Sequence, residues 1–278
     1  MDGLAAAVVV DHGAAVKDFY KLTGSGNDFI FFDLGDSFDG FIRGDWIQAL
    51  CARGTGVGAD GIVFVARPPN MSVLMIRYKN ADGSAAELCG NATLCTVRLA
   101  SLLGLTGELL IMTDAGDIAG RLVDDQPEID LAPVSSLVQD QAVTARPAVA
   151  RRIGYAVAGV PHLVVLVDDV DAVDVPGDGA PLRRDPLLGA AGANVNFVSL
   201  AGGPRMRTYE RGVEGETLAC GTGAVATAAL LIAWRLATSP VSITTRSGSA
   251  LTVRFTGDHP SLAGEGRLVF TGQLPDGA

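Results

Sequence analysis

Two cysteines stand in nearly the same phrase, Cys89-Gly90-Asn91-Ala92 and Cys220-Gly221-Thr222-Gly223, 131 residues apart. Each opens a run rich in alanine and leucine, over 93–103 and 224–236, that is long enough for three helical turns. A thiol at the mouth of a helix lies beside unpaired amides and the positive end of the helix dipole, and both favour thiolate. Gly90 and Gly221 allow the tight turn, and Asn91 and Thr222 are expected to serve as N-caps. The amides of Gly90, Asn91, Gly221 and Thr222 would also hold a carboxylate close to the sulfur. A thiolate so placed can remove a proton from the carbon next to that carboxylate, and a second thiol can return one.

The other two cysteines read differently. Cys51 and Cys95 are expected as small buried hydrophobes, since neither recurs in the second phrase. No Cys-x-x-Cys pair is present, so a disulfide framework, a zinc ribbon and any other metal site are not expected. A disulfide between Cys89 and Cys220 is readable only as an inactivating oxidation.

The elements that must position these thiols also repeat. Gly24 to Phe29 answers Gly159 to Val164 at an offset of 135, and Gly58-Ala59-Asp60 answers Gly192-Ala193-Asn194 at 134. Arg77-Tyr78 is echoed by Arg207-Thr208-Tyr209. A duplication of about 130 residues follows, and that length is normal for a domain. Each half is dense in short β-branched and aromatic runs, such as Phe29-Ile30-Phe31-Phe32 and Val241-Ser242-Ile243-Thr244, with glycine turns between them. The expected architecture is α+β (α/β), with a barrel-like sheet wrapped around one central helix, made twice. The expected boundaries are an N-terminal extension at 1–16, a first domain at 17–131 and a second at 132–264. A last strand at about 265–278 is expected to return to the first domain, and the crossing is expected near 124–133.

Composition narrows the partners. A net charge of −10 without any lysine or arginine block excludes a nucleic-acid surface as the main function. The longest apolar run, 223–234, is too short to cross a bilayer, and no secretory leader is recognised near 4–10. A cytoplasmic protein acting on a small molecule is expected.

At these residues the chain resembles the diaminopimelate epimerase family. The matching phrases are Thr23-Gly24-Ser25-Gly26-Asn27-Asp28-Phe29, Gly58-Ala59-Asp60-Gly61, Asn80-Ala81-Asp82-Gly83-Ser84, Glu87-Leu88-Cys89-Gly90-Asn91, Pro161-His162, Asn194-Val195-Asn196-Phe197, and Tyr209-Glu210-Arg211-Gly212 running to Cys220-Gly221-Thr222-Gly223. The resemblance implies two pseudo-symmetric domains with the site in the cleft between them. It implies that Cys89 and Cys220 stand on opposite faces of an amino-acid Cα and invert it by acid and base catalysis, with no pyridoxal phosphate or other cofactor. Asn27, Asn80, Asn194, Glu210 and Arg211 become substrate contacts, with Arg211 gripping the distal carboxylate. His162 and Glu210 become the groups that tune thiol protonation, and a homodimer is possible.

The chain departs from the family at Val160, where asparagine is common, at Ala92 and Leu94, and in a 212–217 loop one residue longer than usual. Val160 keeps open a racemase of the same fold acting on another amino acid, such as histidine. A non-catalytic binding or thiol-redox protein on this scaffold is the alternative of another class.

Overall fold

Short apolar runs punctuated by glycine form strands because β-branched and aromatic side chains pack well on a pleated surface. The computed structural model describes residues 18–36, 38, 44–69, 73–85 and 89–275. The expected extension at 1–16 and Glu87-Leu88 of the first motif lie outside the described residues. The chain forms two units, the first ending at Pro127 and resuming at Gly266, the second running from Glu128 to Glu265.

The first unit contains β1 (Asp18–Gly24), β2 (Asn27–Asp33), α1 (Gly44–Cys51), β3 (Gly61–Ala66), β4 (Val73–Asn80), α2 (Gly90–Leu102), β5 (Leu109–Thr113) and β6 (Gly116–Val123). Strand β7 (Gln126–Asp130) carries the chain across, so the crossing falls inside a strand. The second unit follows with β8 (Ser135–Val138), β9 (Arg152–Ala158), β10 (Val160–Leu166), α3 (Val175–Arg183), β11 (Asn194–Ser199), β12 (Arg205–Glu210), β13 (Gly215–Thr217) and α4 (Gly221–Ala233). It closes with β14 (Val241–Thr244), β15 (Ala250–Thr256) and β16 (His259–Ala263), after which β17 (Arg267–Gln273) pairs antiparallel with β1.

Pairing senses make the duplication explicit. From β1 to β6 the strands pair antiparallel, parallel, antiparallel, parallel, antiparallel. The path β9-β10-β11-β12-β14-β15 repeats that order. A parallel neighbour cannot be reached by a hairpin and needs a crossover. Helices α1 and α3 serve the first crossover of each unit, and α2 and α4 the second. Register also corrects the echo at 24–29. Phe29 pairs with Gly61 and His162 with Asn194, which sets the offset at 133. Asn27 therefore answers Val160, and His162 answers Phe29. The β1–β2 turn holds two residues and the β9–β10 turn only Gly159, so Gly24 answers Ala158 at an offset of 134, the offset falls to 133 after the turn, and the echo at 135 is out of register.

Helices α2 and α4 begin a turn earlier than the alanine-rich runs suggest, at Gly90 and Gly221. Most of α2 and nearly all of α4 is buried, and α4 touches β9, β10, β11, β14, β15 and β16 around its circumference. Burial on every side explains why α4 lacks a polar face. The helices α1 and α3 were not expected, and α3 hides behind its two prolines and two glycines, residues poor in helix propensity. Aspartate capping by Asp174, which accepts from the Gly177 amide at 3.1 Å, and packing of Gly179 against Tyr209 hold it in place.

Gly154 of β9 lets the sheet approach α4 closely: a Cβ there would lie 2.7 Å from Leu230 Cδ2 and 2.8 Å from Trp234 Cζ2. Trp234 cannot swing away freely, because its indole N–H donates to the Gln139 carbonyl at 2.8 Å. Gly154→Val should cost about 1–3 kcal/mol by overpacking, read as a lower urea midpoint with an unchanged m-value.

Candidate active site

In each unit the chain passes from extended backbone into the buried helix at a cysteine. Cys89 has φ −130° and ψ 109°, and Cys220 has φ −138° and ψ 110°, so the two thiols occupy the same N-cap position of equivalent helices. This corrects the expectation that Asn91 and Thr222 cap the helices; each is instead the second helical residue. Neither cysteine side chain caps its helix. The first intrahelical bonds run from Thr93 N to Cys89 O at 2.9 Å and from Ala224 N to Cys220 O at 3.0 Å. The amides of Gly90, Asn91 and Ala92, and of Gly221, Thr222 and Gly223, therefore lack intrahelical acceptors and can face an anion.

In the first unit, Asn27, Asn80 and Asn91 gather at one end of the sheet beside Cys89. Asn27 Nδ2 donates to Asp60 Oδ2 at 2.9 Å, and Asn27 Oδ1 accepts from Asn91 Nδ2 at 2.7 Å. Since a carboxylate only accepts, Asp60 fixes the orientation of both amides. Asn91 Oδ1 then remains as a buried acceptor without a partner. Arg53 bonds Asp60 at 2.7 Å and Asp28 at 2.5 Å, while Lys21 bonds Asp28 at 2.7 Å and also the Gly58 carbonyl. Burial alone would raise the Asp28 carboxyl, but bonds from Arg53 and Lys21 hold it below the usual carboxylate range. Asn80 pairs in register with Gly61 and donates to Ser84 Oγ at 2.9 Å.

In the second unit, His162, Asn194, Glu210 and Arg211 meet at the corresponding end of the sheet. Asn194, 4% exposed, lies beside His162 in the β10–β11 ladder and accepts from the Arg211 amide at 2.7 Å. Burial pushes the Glu210 carboxyl above its usual range. The Arg211 guanidinium makes no hydrogen bond or ion pair among the described residues, which leaves its fork free for a ligand. Thr222 Oγ1 is 3.6 Å from Cys220 Sγ. Val160 opens β10, in the place that Asn27 holds in the first unit. His162 is fully buried, and burial followed by the Arg211 charge pushes it down to about 3.

Cys51 and Cys95 are buried, and burial pushes the Cys51 thiol up to about 11. Both stand apart from the helix caps as small hydrophobes. Sequence reasoning missed Asp60, which orients Asn27, and Asn196, whose side chain touches His162. Asn194 and Asn196 share one face of a wholly buried strand, alternating with the apolar Val195 and Phe197, a period-two polar signal that marks them. Among the described residues, no cluster of three or more His, Cys, Asp or Glu could hold a metal, and no helix is long and apolar enough to cross a membrane.

Solved structures show the same fold. A phenazine biosynthesis protein of the PhzF family from Enterococcus faecalis superposes with a TM-score of 0.71 at 16% identity, over 93% of this chain and 99% of that one. A hydroxyproline epimerase from Agrobacterium vitis gives 0.61 at 16% identity, over 93% and 92%. The protein is thus of the two-domain α+β class shared by these structures.

Sequence relationships go further. The diaminopimelate epimerase family model matches residues 19–136 and 154–269. A diaminopimelate epimerase of Gemmatimonas aurantiaca is 46% identical over 92% of this chain and 98% of its own length. One of Aquifex aeolicus is 38% identical over 93% and 98%. The chain belongs to the diaminopimelate epimerase family and is an isomerase.

A buried neutral histidine makes stability depend on pH. Below the ordinary histidine value of 6.5 the unfolded chain takes up a proton that folded His162 refuses, so this contribution is lost as pH falls toward about 3. Between pH 7 and pH 5 the loss should be about 2 kcal/mol. Urea unfolding of wild type and His162→Gln at both pH values should show this extra loss in the wild type alone.

Proposed function

We propose that the chain interconverts LL-2,6-diaminopimelate and meso-diaminopimelate without a cofactor, a step in making lysine and peptidoglycan precursors. The observation that carries this reading is the pair of cysteines at equivalent, uncapped helix starts of two duplicated units. Cys89 and Cys220 act from opposite faces of the substrate Cα. The thiolate takes the α-proton, and the other thiol delivers its proton from the far side, so the sulfurs exchange protonation states and the centre inverts. Charge developing as the proton leaves spreads into the α-carboxylate. The amides of Gly90, Asn91, Gly221 and Thr222 stabilise it there, aided by both helix dipoles.

Arg211 supplies a planar fork for the distal carboxylate, and Asn27, Asn80, Asn194 and Glu210 complete the substrate contacts. His162 and Glu210 adjust the protonation of the thiols. Four free cysteines fit a reducing compartment, and we assign the enzyme to the cytoplasm. Val160 favours a second reading, a racemase of another amino acid such as histidine, because it offers no hydrogen bond where Asn27 stands in the other unit.

Incubation in deuterated water with thiol reductant, followed by mass spectrometry of diaminopimelate and a panel of other amino acids, separates the readings. Deuterium should enter diaminopimelate at Cα; exchange confined to another amino acid would sink the leading reading. Cys89→Ser and Cys220→Ser should each lose about 10²–10⁴-fold in turnover, whereas a binding protein would keep its ligand affinity in both. Val160→Asn should lower KM for diaminopimelate with little change in kcat, as expected for binding shared by ground and transition states.

A further inference from the structure

His162 is held by one side chain, and that side chain decides where its proton sits. Asn196, itself fully buried, points Nδ2 at two atoms, the Leu163 carbonyl and His162 Nδ1, each 3.1 Å away. A backbone carbonyl can only accept, so the end of the Asn196 amide that faces Leu163 must be the nitrogen. Thr208 Oγ1, donating to Asn196 Oδ1 at 3.0 Å, satisfies the other end. With an N–H aimed at it, His162 Nδ1 is an acceptor and carries no proton. The single proton of the neutral ring is on Nε2.

That Nε2–H is buried and has no hydrogen-bond partner among the described residues. A buried donor left without an acceptor costs about 1–3 kcal/mol, so its retention calls for a partner. Asn196 sits against the start of α4: a Cβ on Gly223 would collide with Asn196 Oδ1 and lie 3.2 Å from Cys220 Cβ. Arg211 is the charged group that acts on the ring, and its positive charge further opposes imidazolium. The first unit has no such device, since the answering positions are Phe29 and Val63, both apolar and buried.

We propose that Asn196 is a positioning residue that locks His162 as the neutral Nε2–H tautomer, making it a fixed hydrogen-bond donor to thiolate sulfur rather than a base for the thiol. The proposal rests on the two-thiol reading above and deepens it. The ring keeps its proton throughout the cycle. It stabilises the negative sulfur without removing a proton; the resting thiol gives its proton to solvent, a loss that the helix amides favour by stabilising the thiolate.

Histidine labelled with ¹⁵N tests the tautomer directly, because the chain has only three histidines and the His162→Gln spectrum assigns the resonance. In reduced wild type, His162 should show protonated Nε2 and bare Nδ1, unchanged from about pH 5 to about pH 9. A protonated Nδ1 or an imidazolium pattern in that range would overturn the proposal. Asn196→Asp, which offers only acceptors, should move the proton to Nδ1 or produce imidazolium. It should also lower kcat on the order of 10²-fold with KM nearly constant. Thr208→Val keeps the Asn196 N–H on His162 and should leave the wild-type tautomer, which separates proton placement from general loosening of the strand.

Retention of the wild-type tautomer in Asn196→Asp, or a shifted tautomer with unaltered kcat, would refute the positioning role. If Asn196→Asp does not fold, Asn196→Leu, which is of similar size and has no donor, should release Nδ1 and mix the two neutral tautomers, and the wild-type spectrum still decides the tautomer. Failure of the two-thiol reading is seen separately, as absence of α-proton exchange in the wild type.

Discussion

A helix that starts inside a protein must do something with its first amides, and both central helices here leave them open. Serine, threonine or aspartate at the cap would satisfy an amide and stabilise the helix by about 1 kcal/mol. Cys89 and Cys220 forgo that gain, and their helices are held instead by burial on nearly every side. Tight packing therefore carries the stability that the caps withhold. Gly154 shows how far this goes, because the sheet touches α4 through a residue with no side chain at all.

The backbone repeats faithfully while its polar groups do not. Both units share one order of pairing senses, one crossover plan and one cap geometry. Yet Asn80 is answered by Glu210, Asn27 by Val160, and the buried pair Phe29 and Val63 by His162 and Asn196. Each unit also solves orientation in its own way. In the first, an ion network through Lys21, Asp28, Arg53 and Asp60 aims two asparagine amides. In the second, neutral hydrogen bonds among Thr208, Asn196 and His162 do the aiming. A reaction that treats two faces of one carbon unequally has a use for that asymmetry, whereas the scaffold does not need it.

Much of this was legible in the sequence. Cys-Gly phrases before alanine-rich runs marked the helix starts, because local composition and glycine turns act over only a few residues. Harder to read were quantities fixed by pairing. The true offset between Asn27 and Val160 depends on one turn being a residue shorter than the other, which only the ladder register reveals. The roles of Asp60 and Asn196 depend on contacts to residues more than thirty positions away. Helix α3 was hidden because tertiary packing overrode its poor propensity, and the caps were misassigned because cysteine is not a usual capping residue.

The return of β17 to β1 has a consequence for synthesis. The second unit is one continuous stretch, Glu128 to Glu265, and all its strands have emerged before the first unit can be completed. The earlier half of the chain must wait with an unpaired edge at β1 until the strand beyond the later half arrives. Edges of that kind recruit other chains, and long-range closure is slow. The unit made first is thus the one finished last, and the interval between the two is when a growing chain is most exposed to mispairing.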